Sequence, residues 1–207
     1  MNSRSKRNVH LFVFDTMADW EAAYAVAAIN SPKFQSGPSR YRVVTVAATL
    51  APVTTMGGVR IEPDVMVDAV LPEESAMLIL PGGYAWESRG NSEALELAAQ
   101  FIASGVPVAA ICAATLALAR AGLLDHLRHT SNAREYLISS GYRGTAFYCG
   151  VPAVTDGNVI TATGLAPVDF AREIFKALNL YSTATLEAWY AMFKQCDASK
   201  FYAVAAN

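Results

Sequence analysis

The chain of 207 residues is 53% hydrophobic and 16% charged, which excludes a disordered polymer and leaves enough apolar side chain for a sizeable core. A net charge of −2 and a pI near 5.9 give no electrostatic footprint for nucleic acid or an anionic membrane surface. A small-molecule ligand is the expected partner.

Met1 to Asn8 is basic and polar, and the apolar run after it, Val9 to Phe14, ends at Asp15. That run is too short for a signal-peptide core and reads as a strand buried on both faces. Thr16 to Asp19 has the look of a capping box opening an Ala-rich helix that runs to about Ile29. Ser31 to Ser39, with Pro32, Gly37 and Pro38, reads as a loop, and Tyr41 to Ala47 as the second strand. Val53 to Met56 and Val59 to Ile61 flank Gly57-Gly58 as a hairpin would.

Met77 to Leu80 is an apolar strand that ends in Pro81-Gly82-Gly83, and a helix is predicted over Ser92 to Ser104. Ile102 to Ala119 carries no charge and reaches the minimum length of a membrane span. Ser104, Gly105 and Pro107 interrupt it, and Arg120 follows, so it reads as a helix end, a strand at Pro107 to Ile111 and a helix at Ala113 to Ala121. Asn132 and Glu135 have the spacing of a further cap. Val154-Thr155, the Asp156-Gly157 turn and Val159 to Ala162 form another strand pair, followed by helices at Pro167 to Leu178 and Thr183 to Lys194. Alternating strands and helices predict a single domain over 1–207, with a core from about 9 to 180, built on a mostly parallel sheet covered on both faces.

Ligands bind such sheets beyond the carboxyl ends of the strands. Asp15 to Glu21, Pro81 to Glu87 and Cys112 to Thr115 all fall there. Cys112 lies on a strand-to-helix turn between small residues, where unpaired amides and the helix dipole would lower a thiol pKa. It reads either as a nucleophile or as a small buried hydrophobe. Gly82-Gly83 suits an oxyanion hole beside the Ala113 amide, and equally an ordinary turn. Glu21, one turn into the first helix, would have a raised pKa beside the sulfur, or else would face solvent. Tyr84, Trp86 and Glu87 either line the pocket mouth or pack the loop. No metal site or cofactor is expected: the three cysteines are far apart, with no C-x-x-C, G-x-G-x-x-G or Walker loop. Cys149 and Cys196 have no activating context, and the cysteine usage fits a reducing cytoplasm.

Phe14 to Glu21, Leu80 to Gly83, Ala110 to Ala114 with Leu116 to Leu124, and Asp156 to Ala162 with Gly164 and Asp169 to Ala171 resemble the ThiJ/PfpI superfamily. That group contains class I glutamine amidotransferase-like domains and the parkinsonism-associated deglycase. The resemblance covers about Val9 to Leu178. It implies a flavodoxin-like three-layer α/β sandwich with a cysteine nucleophile elbow at Cys112, Glu21 hydrogen-bonded to the sulfur, and Gly83 and Ala113 as backbone donors. It also implies a homodimer, to which the aromatic C-terminal helix would contribute.

Departures from the family pattern matter. Asn132 stands where many members carry a histidine close to the sulfur, and an amide cannot relay a proton. His129 is placed on the other strand face, His126 in a surface loop and His10 in or near the core. Peptidase-type members have histidine directly after the cysteine, where this chain has Ala113, and no Glu-x-His dyad occurs between Val151 and Asn179. Three functions remain open: an enzyme acting on small amides or reactive carbonyls, a redox-responsive stress protein whose thiolate meets an oxidant, or a flavodoxin-like binding module for a small anion or cofactor.

Overall fold

The computed structural model describes residues 6–31, 35 and 40–205. Its central sheet has seven strands in the order β5-β2-β1-β6-β7-β9-β8. These are β1 (Arg7–Phe12), β2 (Tyr41–Ala47), β5 (Val65–Met66), β6 (Ser75–Leu80), β7 (Val108–Ile111), β8 (Ala153–Asp156) and β9 (Val159–Ala162). All neighbours run parallel except β8 and β9. Short strands β3 (Val53–Thr54) and β4 (Arg60–Ile61) form a separate antiparallel pair, where the glycine-centred hairpin was expected.

Every residue of β6, β7 and β9 is buried, so these strands need no alternation of polar and apolar residues. Helices cover both faces. On one side α1 (Asp19–Asn30), α6 (Pro167–Ala177) and α7 (Thr183–Lys194) pack together. On the other lie α2 (Tyr84–Glu87), α3 (Ser92–Ala103), α4 (Ala113–Arg120) and α5 (Arg134–Ile138). A last short helix, α8 (Phe201–Ala205), packs on α7. This is the mostly parallel, doubly covered sheet that the alternation predicted, and the flavodoxin-like α/β sandwich that the family resemblance implied. No helix among the described residues is long and apolar enough to cross a membrane.

Several local expectations are corrected. β1 begins two residues earlier and ends at Phe12. Thr16 does not cap α1: it has φ 72°, and the cap residue is Ala18, without a side-chain bond. The carboxylate of Asp19 instead ties α1 to the hairpin, accepting from Thr55 Oγ1 at 2.5 Å and Gly57 N–H at 2.6 Å. Asn132 does not cap α5 either; Ala133 holds that position with no side-chain bond. Most of the loop predicted over Ser31 to Ser39 lies outside the described residues. Within the C-terminal helix, Trp189 is buried against Phe175 and Tyr24, and Tyr190 donates to Asp169.

Candidate active site

The strand order reverses between β1 and β6, and the candidate site opens above the carboxyl ends of β1, β6, β7 and β9. β7 delivers Cys112 directly. Its backbone, at φ 58° and ψ −127°, lies in the region that side chains avoid, a strain of about 1–3 kcal/mol that surrounding contacts must hold. Three bonds pin this elbow. Cys112 N–H donates to Ala162 O at 3.0 Å, while Thr115 donates to Cys112 O through its N–H at 3.1 Å and its hydroxyl at 2.6 Å.

Two glycines let the walls close on the sulfur. A β-carbon at Gly82 would lie 2.7 Å from Cys112 Cβ and 2.8 Å from Glu21 Oε2. One at Gly164, just past β9, would lie 2.8 Å from Cys112 Sγ and 3.1 Å from Glu21 Oε1. Any other residue at either place would push sulfur and carboxyl apart.

Glu21 is 1% exposed, so it is a buried carboxyl and not a solvated helix residue. Its Oε2 accepts from Gly82 N–H at 2.5 Å, and its buried Oε1 has no oxygen or nitrogen partner. Burial pushes its pKa up to about 7, against the opposing pull of the Gly82 amide and the Cys112 thiol. That is the expected direction. The Gly82 amide is therefore engaged by Glu21 and not available to an oxyanion. Gly83 in the same turn accepts from Trp86 N–H through its carbonyl, at 3.4 Å.

The thiol behaves differently from the sequence expectation. Burial first, and the Glu21 charge second, push Cys112 up to about 11. The Asn132 amide and the Ala113 N–H pull it down, the latter being the first amide of α4, but they do not win. A helix terminus lowers a thiol pKa when nothing else acts; here a dry pocket and a neighbouring carboxylate outweigh it.

Asn132 is brought to the sulfur, as its match to the family's histidine implied. Its Oδ1 accepts from Gly164 N–H at 2.9 Å and from Thr163 Oγ1 at 3.4 Å. Those donors fix the amide orientation, so Nδ2 donates to Cys112 Sγ at 3.2 Å. His129 turns away: it is fully buried, with ring nitrogens 2.7 Å from Leu127 O and 3.1 Å from Tyr142 Oη. His10 is buried against Ser75 Oγ at 3.1 Å, and His126 is exposed, as expected.

Trp86 does not line the pocket mouth. It is 1% exposed, packs on Phe12 and Phe14, and donates from Nε1 to Pro81 O at 2.8 Å. Sequence reasoning missed Tyr136, which is half-buried, donates to Glu87 Oε1 at 3.0 Å and lies close enough to feel a charge on Cys112. Its position one turn beyond Asn132 was the available signal. Among the described residues, no group of three or more His, Cys, Asp or Glu is arranged to hold a metal ion.

Comparison with known proteins gives the same lineage. The model of the DJ-1/PfpI family matches residues 7–177. A Bacillus subtilis protein named uncharacterized protease YoaZ is 38% identical over 199 residues, spanning 95% of each chain. Deglycase PH1704 of Pyrococcus horikoshii is 33% identical over 133 residues, 61% of this chain and 76% of its own. A crystal structure of a thiJ/pfpI family protein from Bacillus anthracis superposes with a TM-score of 0.91 at 39% identity, covering 99% of this chain and 98% of that one.

Proposed function

Because the chain belongs to the DJ-1/PfpI family, we propose that it is a cysteine-dependent enzyme acting on small reactive carbonyl or amide compounds, with Cys112 as nucleophile and Glu21 as its proton partner. Relatives named protease and deglycase support a hydrolase-like or deglycase role in general terms. The observation that carries the reading is the buried Glu21 Oε1, without an oxygen or nitrogen partner, closing on the same point as the Cys112 sulfur. A carboxyl so placed, with a pKa of about 7, is poised to take and return a proton at neutral pH.

With Glu21 at about 7 both of its forms are present at neutral pH, and the form that reacts has Glu21 ionised and the proton on the thiol. As the sulfur lone pair attacks a carbonyl carbon, the S–H proton passes to Oε1 and the carbonyl π pair moves onto oxygen. The Asn132 amide steadies the developing thiolate, while the Ala113 and Gly83 amides are the proposed donors to the oxyanion. The proton then returns from Glu21 to that oxygen, giving a neutral hemithioacetal from an aldehyde. With a 2-oxoaldehyde, the hydrogen on the hemithioacetal carbon then shifts to the adjacent carbonyl carbon to give a 2-hydroxy thioester, which water hydrolyses to a 2-hydroxy acid and the free thiol. With an amide, the adduct instead expels an amine that leaves with the proton, and water must then hydrolyse a thioester. Carbonyl addition shuttles a single proton from sulfur through Glu21 to the adduct oxygen and needs no protonated leaving amine from a site with no imidazole at the sulfur, so it is the favoured chemistry. A redox sensor would want a lowered thiol pKa, and the burial of Cys112 weighs against it.

Consumption of a small 2-oxoaldehyde by wild type, Cys112→Ser and Glu21→Gln tests this. Activity is expected in wild type alone. Full turnover in the serine variant would remove Cys112 as nucleophile.

A further inference from the structure

The three tryptophans of this chain are not alike. Trp86 and Trp189 are buried, whereas Trp20 remains 49% exposed. Yet Trp20 has a partner: its indole N–H donates to Gly164 O at 3.3 Å. Gly164 is the residue whose missing side chain makes room for the Cys112 sulfur, and Trp20 immediately precedes Glu21. The tether therefore holds a half-exposed aromatic ring beside the backbone that walls the reactive atom. Leu165, next after Gly164, is 90% exposed, the highest value among the large apolar side chains of the described residues. Leaving two large apolar groups in water forgoes the stabilisation that burial would give, about 25 cal/mol for each Å².

We propose that Trp20 and Leu165 form an apolar rim that selects substrates carrying an aryl or alkyl group near the carbonyl. This deepens the proposed function and rests on Cys112 as the reactive centre. Each rim residue is one step in sequence from a residue that touches the sulfur or its proton partner. Trp20 is placed there by its bond to Gly164 O, and Leu165 follows in the same loop. On this reading a substrate whose carbonyl carbon reaches Sγ rests its substituent against them. The polar side of the site, with Asn132, Glu87 and Tyr136, comes from other elements and remains for the carbonyl's polar neighbours.

The test compares alkylation rates of Cys112 by N-benzyl iodoacetamide and by iodoacetamide, read at each cysteine by mass spectrometry. The two reagents share the same reacting carbon, so thiol ionisation cancels in their ratio. Free N-acetylcysteine gives the reference ratio, because Cys196 lines a cavity with Phe193, Phe201 and Tyr202. The benzyl reagent is expected to be favoured about tenfold at Cys112 relative to that free thiol, the scale of burying part of one ring. Trp20→Ala should abolish this preference, while Trp20→Phe, which loses the indole N–H but keeps a ring, should retain most of it. A ratio at Cys112 equal to that of the free thiol, or a preference untouched by Trp20→Ala, would overturn the rim and leave the nucleophile standing. Loss in Trp20→Phe as complete as in Trp20→Ala would reduce Trp20 to a tether and also overturn it. Protection of Cys112 from both reagents as protein concentration rises would assign the rim to contact between copies, again against the proposal. A Cys112 inert to both reagents at every concentration would instead undo the function on which the proposal rests.

Discussion

At the scale of single residues, the site differs from a cysteine–histidine pair in what holds the proton. Asn132 offers the sulfur a fixed dipole, locked by Gly164 and Thr163, and cannot exchange a proton. Glu21 alone does that. Replacing Asn132 by alanine removes a donor that stabilises the thiolate, so the thiol pKa should rise further and alkylation of Cys112 at neutral pH should slow about tenfold. Unchanged alkylation would mean that the amide contributes nothing to the sulfur. Gly164→Ala should act by crowding: its β-carbon would sit 2.8 Å from Sγ. Reaction of Cys112 with iodoacetamide is expected to fall sharply while circular dichroism stays native.

At the scale of elements, α2 is fixed to the core by one side chain. Trp86 fills the space between Phe12, Phe14 and the Pro81 carbonyl, and Arg120 Nη1 donates to the Trp86 carbonyl at 2.9 Å. Trp86→Ala should cost about 3–5 kcal/mol in denaturant unfolding. A cost under 1 kcal/mol would return Trp86 to the pocket mouth. Its burial could not be read from Pro-Gly-Gly-Tyr-Ala-Trp, because a four-residue helix has too few turns to reveal a face. By contrast α7, three turns long with a Ser182 cap and regular aromatics, was legible to the residue. Cap patterns misled at Thr16 and Asn132 for a common reason. Both match a local rule, but Thr16 is drawn into pairing with Thr54, and Asn132 is claimed by a glycine 32 residues away. β5 is two residues long and exists only because β2 offers an edge. Strands fully buried in the middle of the sheet announced themselves by composition alone.

At the scale of the whole molecule, two buried groups give stability opposite pH slopes. Glu21 titrates at about 7 in the fold against 4.5 unfolded. The native state therefore holds a proton that the unfolded chain has released, and stability falls as pH rises from about 4.5 to 7. His10 is lowered from 6.5 to about 4 by burial and by Arg42, so it contributes in the other sense: stability is present above 6.5 and lost as pH falls towards 4. The two partly cancel in wild type. Glu21→Gln removes one slope, so its stability relative to wild type should grow by on the order of 3 kcal/mol between pH 4.5 and 7.5. Thermal or urea unfolding across that range reads the difference, and parallel curves would show that Glu21 is not the buried acid described.

The pairing of Cys112 with Glu21 is tested most directly by titrating the Cys112 thiolate absorbance, with Cys149 and Cys196 replaced by serine, in wild type and in Glu21→Gln. Burial and the neighbouring carboxylate put the wild-type thiol at about 11. With a neutral amide, whose oxygen keeps the Gly82 bond and whose nitrogen then faces sulfur, the thiol should ionise at clearly lower pH. Carbonyl turnover should nevertheless fall, because the amide cannot accept the proton. An unchanged thiol pKa, or a glutamine variant that turns over carbonyl substrate as fast as wild type, would contradict the account.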